Sequence, residues 1–117
     1  RVTILQPVNT TFYVNTPIYY EVKATDPEEG NIPPDRVCWS YDIIGDKQGY
    51  INIGCRINGT FTPTRLINNR ATNYSLKVIG TDLQGATGQD IKTLVIIPRG
   101  GGGNGSPIFL KAITEPP

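Results

Sequence analysis

The sequence has no histidine and no methionine, and it contains only two cysteines and one tryptophan. Without histidine it offers neither a Ser-His-Asp or Cys-His catalytic arrangement nor an imidazole ligand for a metal ion. Charge is sparse and balanced, with a net value of +1 and no basic stripe, which argues against nucleic acid or an anionic membrane as a partner. No apolar run is long enough to span a bilayer. We therefore expect a protein that is not an enzyme and has no cofactor.

Residues that favour strands and turns are abundant instead. The 117 residues include 13 Gly and 10 Pro, with many Thr, Val, Ile and Tyr, in a chain of the length of one domain with one hydrophobic core. The chain starts at Arg1 with neither Met nor a signal-like apolar segment. We expect it to be a mature or excised piece of a longer secreted protein.

Alternating apolar residues predict about seven short strands. The clearest of these predicted strands are Ile18 to Ala24, Arg36 to Ile43, Asn73 to Thr81 and Gly88 to Ile97. Turn residues separate the strands, at Asp26 to Gly30, Gly45 to Gly49, Asn58-Gly59 and Asp82 to Gly85. This spacing predicts an all-β fold, an antiparallel β-sandwich that spans residues 1–98.

The two cysteines fall in one predicted hairpin, at Cys38 and Cys55. A turn centred between Asp46 and Lys47 would place them directly opposite each other, where cross-strand Cβ atoms are close enough for a disulfide. The alternative is a pair of free buried thiols. An even cysteine count beside several glycosylation sequons favours the disulfide and an oxidising compartment.

Four Asn-x-Ser/Thr sequons are present, where roughly one is expected by chance. They indicate a glycosylated extracellular surface, although a Thr-rich strand protein can also collect sequons that are never used. The candidate sites are Asn9, Asn58, Asn73 and Asn104.

Two stretches carry a resemblance to a known family. Ala24 to Pro33, with the acidic Asp26-Pro27-Glu28-Glu29-Gly30 turn, leads to Val37-Cys38-Trp39, and Val78 to Ala86 is a second turn region. Together with the opening Ile4-Leu5-Gln6-Pro7 they resemble PKD and related cadherin-like domains. The chain has Trp39-Ser40-Tyr41-Asp42 in place of the Trp-Asp-Phe-Gly-Asp-Gly of typical PKD domains, and the cysteine pair is not part of that pattern. The resemblance implies an Ig-like sandwich that serves as a spacer, adhesion or assembly module outside the cell.

Three groups of side chains are candidate ligand sites. Asp26, Glu28 and Asp82 would converge on Ca²⁺ if their turns lie at one end of the sandwich, as the resemblance implies. We favour the alternative that Asp26 and Asp82 bind their own turn backbone. Trp39 is expected in the core, across the sandwich and against the disulfide, rather than on a sugar. An exposed face of Tyr13, Tyr19 and Tyr50 would be a carbohydrate platform.

The end of the chain is a glycine-rich linker, residues 99–106, followed by an apolar strand within residues 107–117. A lone strand is unstable in water, so this one needs a partner. It could pair with a neighbouring subunit, begin another copy of the domain, or close an edge of its own sheet. Its apolar residues alternate between two faces, with one set at Ile108, Leu110 and Ala112 and the other at Phe109 and Ile113.

These features together predict a secreted, glycosylated protein of the cell surface or extracellular space. We expect a non-catalytic structural subunit of a filament or surface assembly, joined head-to-tail to copies of itself, or to adjacent domains, by the C-terminal strand. The alternative is an accessory adhesion or carbohydrate-binding module of a larger secreted protein or enzyme.

Overall fold

The computed structural model describes residues 1–99, which form nine strands and two short 3-10 turns. The linker beyond Arg99 and the strand predicted within residues 107–117 lie outside the described residues. The turns span Pro34–Arg36 and Ile67–Asn69. The strands are β1 (Val2–Gln6), β2 (Thr11–Tyr13), β3 (Ile18–Asp26), β4 (Gly30–Asn31), β5 (Val37–Ile43), β6 (Ile51–Cys55), β7 (Asn58–Phe61), β8 (Thr72–Thr81) and β9 (Thr87–Ile97).

The strands form two sheets, and the predicted all-β sandwich is confirmed. In the four-stranded sheet, β3 pairs with β1, β4 and β7, and the five-stranded sheet has the order β2-β9-β8-β5-β6. Strands β2 and β9 are parallel, whereas the other strand pairs within residues 1–99 are antiparallel. The sequence patterns predicted antiparallel pairing throughout, so the parallel edge pair is a departure from that prediction.

The core lies between the sheets and comes from the alternating positions that the sequence patterns marked. Tyr20 on β3 packs across the sandwich on Trp39 of β5, with ring centroids 4.3 Å apart. Full burial of a large apolar side chain stabilises a fold by roughly 1.5–3 kcal/mol. The buried apolar residues of the long strands are Ile18, Tyr20, Val22, Ala24, Val37, Trp39, Ile43, Tyr74, Leu76, Val78, Leu94 and Ile96.

The predicted turn at Asn58-Gly59 is wrong, because both residues lie in β7. After β6 the chain crosses from the five-stranded to the four-stranded sheet at Arg56 and Ile57, and Asn58 and Gly59 then pair with Glu21 and Tyr20 of β3. A glycine within a strand often marks a bulge, a tight bend or a close approach of neighbouring atoms. Here the neighbouring group is the Tyr20 ring.

Candidate functional site

The Cys38–Cys55 disulfide is present, as predicted, and joins directly opposed residues of β5 and β6. Cys38 is half-buried and Cys55 is exposed, so the bond lies at the outer surface of the five-stranded sheet. The register shifts by one residue between Trp39 and Ser40, which places a bulge next to the disulfide on the edge strand β6. The bond indicates that the protein folds in an oxidising compartment.

Trp39 occupies the core, as expected, but it does not share a face with the disulfide. Its side chain is only 1% exposed, and its indole Nε1 donates a hydrogen bond to the carbonyl oxygen of Arg56 at 2.8 Å. Successive residues of a strand point to opposite faces, so the neighbouring Cys38 points outward. The alternation of side chains along a strand already indicated that Trp39 and Cys38 point to opposite faces. The expectation that Trp39 packs against the disulfide was therefore wrong.

Asp26 and Asp82 lie in turns at the same end of the sandwich, and each binds backbone amides of its own turn. Asp26 Oδ2 accepts hydrogen bonds from the amides of Glu28 and Glu29, both at 2.9 Å. Asp82 Oδ1 accepts from Gln84 and Ala86, also at 2.9 Å. The amide of Glu29, followed by that of Glu28, holds the pKa of Asp26 below its ordinary value, and nearby Asp82 contributes further. The two aspartates are therefore turn residues that happen to be neighbours.

The predicted calcium ligands do not form a metal site. Glu28 is exposed beside Asp26. Within residues 1–99, no group of three or more histidine, cysteine, aspartate or glutamate side chains is placed to hold a metal ion. This arrangement corresponds to the alternative interpretation of Asp26 and Asp82, in which short carboxylates close their own turns.

Arg36 connects the two turns, and the sequence analysis did not identify it. Its guanidinium forms a salt bridge with Glu29 of the first turn and donates to the carbonyl oxygen of Thr81, before the second turn, at 3.1 Å. The hydrogen bond to Glu29 is the main reason that the pKa of Arg36 is raised. Glu29 lies close to Arg36 in sequence, whereas Thr81 is 45 residues away, so no local pattern could have revealed the link to the second turn.

The three candidate tyrosines of a carbohydrate platform are in separate places. Tyr19 lies on the four-stranded sheet, and Tyr13 lies on β2 at one edge of the five-stranded sheet. Tyr50 precedes β6 at the opposite edge, where its hydroxyl bonds Ser75 Oγ at 2.8 Å and Lys77 Nζ lies 3.8 Å from its ring centroid. The common aromatic face that we considered for these residues is therefore not formed.

Three of the four predicted glycosylation sites lie in the described part of the chain, and all three asparagines are exposed. Asn9 is in the loop between β1 and β2, Asn58 is on β7 and Asn73 is on β8. Asn104 and the apolar residues of the predicted assembly strand (Ile108, Phe109, Leu110, Ala112 and Ile113) lie outside the described residues. Exposure makes each of the three described asparagines sterically available for a sugar.

The chain enters and leaves the sandwich at opposite ends. Val2 pairs with Ala24 and lies beside Gly80 and Gly88, at the end that carries the Asp26 and Asp82 turns. Strand β9 runs from that end to Ile97, which pairs with Tyr13 at the other end. Its 11 residues cover about 34 Å from first to last, close to the full length of the sheet.

Comparisons with family models, curated proteins and solved structures found no significant match to this chain. The PKD and cadherin-like pattern is therefore a resemblance of motifs. Residues 1–99 contain no helix with the length and apolarity needed to cross a bilayer. What the structure establishes is an all-β sandwich with a surface disulfide, an acidic turn cluster at one end, and three exposed sequon asparagines.

Proposed function

We propose that this chain is a non-catalytic structural module of an extracellular filament or surface assembly, in which neighbours join end to end through the strand at residues 107–114. The observation that carries the proposal is the direction in which the chain runs through the sandwich, since Val2 and Ile97 lie at opposite ends. A segment that follows Ile97 therefore starts at the end farthest from Val2. Head-to-tail contacts that repeat in this direction build a filament when the rotation between neighbours does not close a ring.

The edges of the two sheets also favour contacts at the ends over side-by-side pairing. The amide of Ile4 on β1 donates to Asp90 Oδ2 at 2.8 Å, so this edge group is already satisfied. Strand β6 carries the bulge and the disulfide, and β2 is only three residues long. Bulges, short edge strands and charged side chains at edges are the means by which β-proteins avoid lateral aggregation.

An extracellular location is supported by two surface features. The Cys38–Cys55 disulfide lies at the outer face of the sheet, and disulfides form and persist in oxidising surroundings. The exposed asparagines Asn9, Asn58 and Asn73 are compatible with glycosylation during secretion.

The test is electron microscopy and sedimentation of the secreted full-length chain beside two variants. One variant lacks residues 100–117, and the other carries Leu110→Asp and Ile113→Asp, which keep the length but introduce charge on both faces of the strand. We expect filaments or large assemblies from the full chain only, with the circular dichroism of the sandwich unchanged in both variants. Equal assembly by all three proteins would contradict strand donation. Monodisperse particles of the full chain would also overturn the proposal and would direct attention to glycan binding.

A further inference from the structure

We infer that Asn9 carries an N-linked glycan whose first sugar packs against Tyr19, in a groove between the β1–β2 loop and the start of β3. The inference rests on the extracellular location in the proposed function, and it is independent of assembly through residues 107–114. Asn9 is an accessible acceptor on a groove that Tyr19 also lines. Asn73 is exposed on a groove of similar volume, but that groove lies away from Tyr19.

The groove has a volume of about 310 Å³, which is within the range of small-molecule sites. Asn9 is itself part of its wall, so a sugar on this side chain would begin inside the groove. Its other walls present both polar and apolar surface and are formed by Gln6, Pro7, Val8, Phe12, Pro17, Ile18 and Tyr19.

Hydrogen bonds to β9 hold the backbone on both sides of Asn9. Lys92 Nζ donates to the carbonyl oxygen of Val8 at 3.2 Å, and the amide of Val95 donates to the carbonyl oxygen of Thr10 at 2.6 Å. The Asn9 side chain is exposed between these two anchors. The attachment point is therefore fixed relative to the groove, which lowers the entropy lost when an attached sugar settles there.

Two apolar side chains beside Asn9 are unusually open to water. Val8 is 68% exposed and Tyr19 is 46% exposed. A pyranose ring presents a face of C–H groups that stacks on an aromatic ring, while its hydroxyls stay in water, and tyrosine offers the matching apolar body with a polar tip. A sugar linked to Asn9 would cover apolar surface of both side chains while its hydroxyls stay in water.

The other described sequons differ in their surroundings. In the Asn73 sequon, Ser75 is only 7% exposed and its hydroxyl is bound by Tyr50, whereas Thr11 of the Asn9 sequon is exposed. Asn58 and Thr60 project from β7, and Thr60 lies opposite Tyr19 in the sheet. Asn73, on the five-stranded sheet and remote from Tyr19, is therefore the matched control site.

The experiment uses the full-length chain secreted by cells that glycosylate Asn-x-Ser/Thr sites. Peptide mass spectrometry measures occupancy of each asparagine, and an endoglycosidase then trims every glycan to its first sugar. We expect high occupancy at Asn9 and nuclear Overhauser contacts between that sugar and the Tyr19 ring. We also expect Asn9→Gln to lower the unfolding temperature by a few degrees in the wild-type background and far less in a Tyr19→Ser background.

The matched control is Asn73→Gln, whose effect on the unfolding temperature should be the same in the wild-type and Tyr19→Ser backgrounds. An unmodified Asn9 in the secreted chain would overturn the inference. So would an occupied Asn9 whose sugar shows no contact with Tyr19 and whose effect on stability does not depend on this ring. Because none of these readouts involves residues 107–114, a chain that fails to assemble would contradict the proposed function and leave the glycan site standing.

Discussion

Tyr20 and Gly59 face each other across β3 and β7 so closely that there is no room for a side chain on the glycine. A Cβ built on Gly59 would lie 2.7 Å from the Tyr20 hydroxyl oxygen and 2.9 Å from the ring carbon that bears it. The tyrosine cannot move away easily, because it is fully buried against Trp39 and its hydroxyl accepts a hydrogen bond from Arg56 at 2.9 Å. This contact fixes the position of β7 on the four-stranded sheet.

Gly59→Ala should therefore destabilise the fold, although alanine normally suits a strand better than glycine. We expect a loss of about 1–3 kcal/mol, because an added methyl group in a packed interior forces its neighbours apart. Urea denaturation measures the effect. Gly88→Ala is the matched control, since Gly88 is also a strand glycine and a Cβ there would lie 3.4 Å from its nearest neighbour, Val2 Cγ2. Similar losses at both positions would contradict the close-contact argument.

Removal of the disulfide should leave the sandwich fold but weaken it. The bridge spans 17 residues of sequence, and closing a loop of this length stabilises a fold by about 3 kcal/mol in the chain-entropy model. The Cys38→Ser, Cys55→Ser double variant should lose this amount in urea denaturation. Wild-type protein in a reducing buffer should match the double variant, and an undiminished stability in both would show that the bond contributes little.

Tyr74 should make stability fall at alkaline pH. Its buried hydroxyl donates to the carbonyl oxygen of Arg65 at 2.7 Å and accepts from the amide of Arg65 at 3.2 Å. Burial raises the pKa of Tyr74 above its ordinary value of 10.0. Because the pKa of Tyr74 is higher in the native state than in the unfolded state, its contribution to the free energy of unfolding is complete below the unfolded pKa. This contribution is lost as pH rises through the native pKa.

Tyr74→Phe removes both hydrogen bonds and the titration. We expect a loss of about 1–3 kcal/mol at neutral pH, because the backbone of Arg65 loses its partner. The difference between wild type and variant should shrink as the pH rises from the ordinary value of 10.0 through the native pKa, which urea midpoints across the alkaline range would measure. Tyr19→Phe, at an exposed ring, should change stability little at any of these pH values.

Asp26 should make the stability of the fold depend on pH at the acidic end of the range. The amide of Glu29, and then that of Glu28, lowers its native pKa, so its contribution is complete above the ordinary value of 3.8 and is lost as pH falls through the native pKa. Asp26→Asn keeps an oxygen acceptor in the turn but cannot titrate. Its stability relative to wild type, measured by urea denaturation, should therefore rise as the pH is lowered, and a constant difference across the acidic range would contradict this role of Asp26.

The sequence by itself determined the features that depend on local chemistry. Alternation placed Ile18, Tyr20 and Val22 on one buried face, and the side chains of Asp26 and Asp82 close the turns that their positions predicted. The equal distance of Cys38 and Cys55 from one turn, together with the even cysteine count and the sequons, predicted the disulfide. Each of these follows from the period of a strand or from a hydrogen bond within a few residues.

Only the tertiary structure decided the features that depend on which strands meet. Asn58-Gly59 has the composition of a turn, but the Tyr20 ring needs a glycine opposite it, and this packing outweighs the local preference. The parallel pairing of β2 with β9 and the hydrogen bond from Arg36 to Thr81 join segments far apart in the chain. The groove that brings Asn9 beside Tyr19 has the same origin, because it lies between the start of β3 and a β1–β2 loop that is hydrogen-bonded to β9.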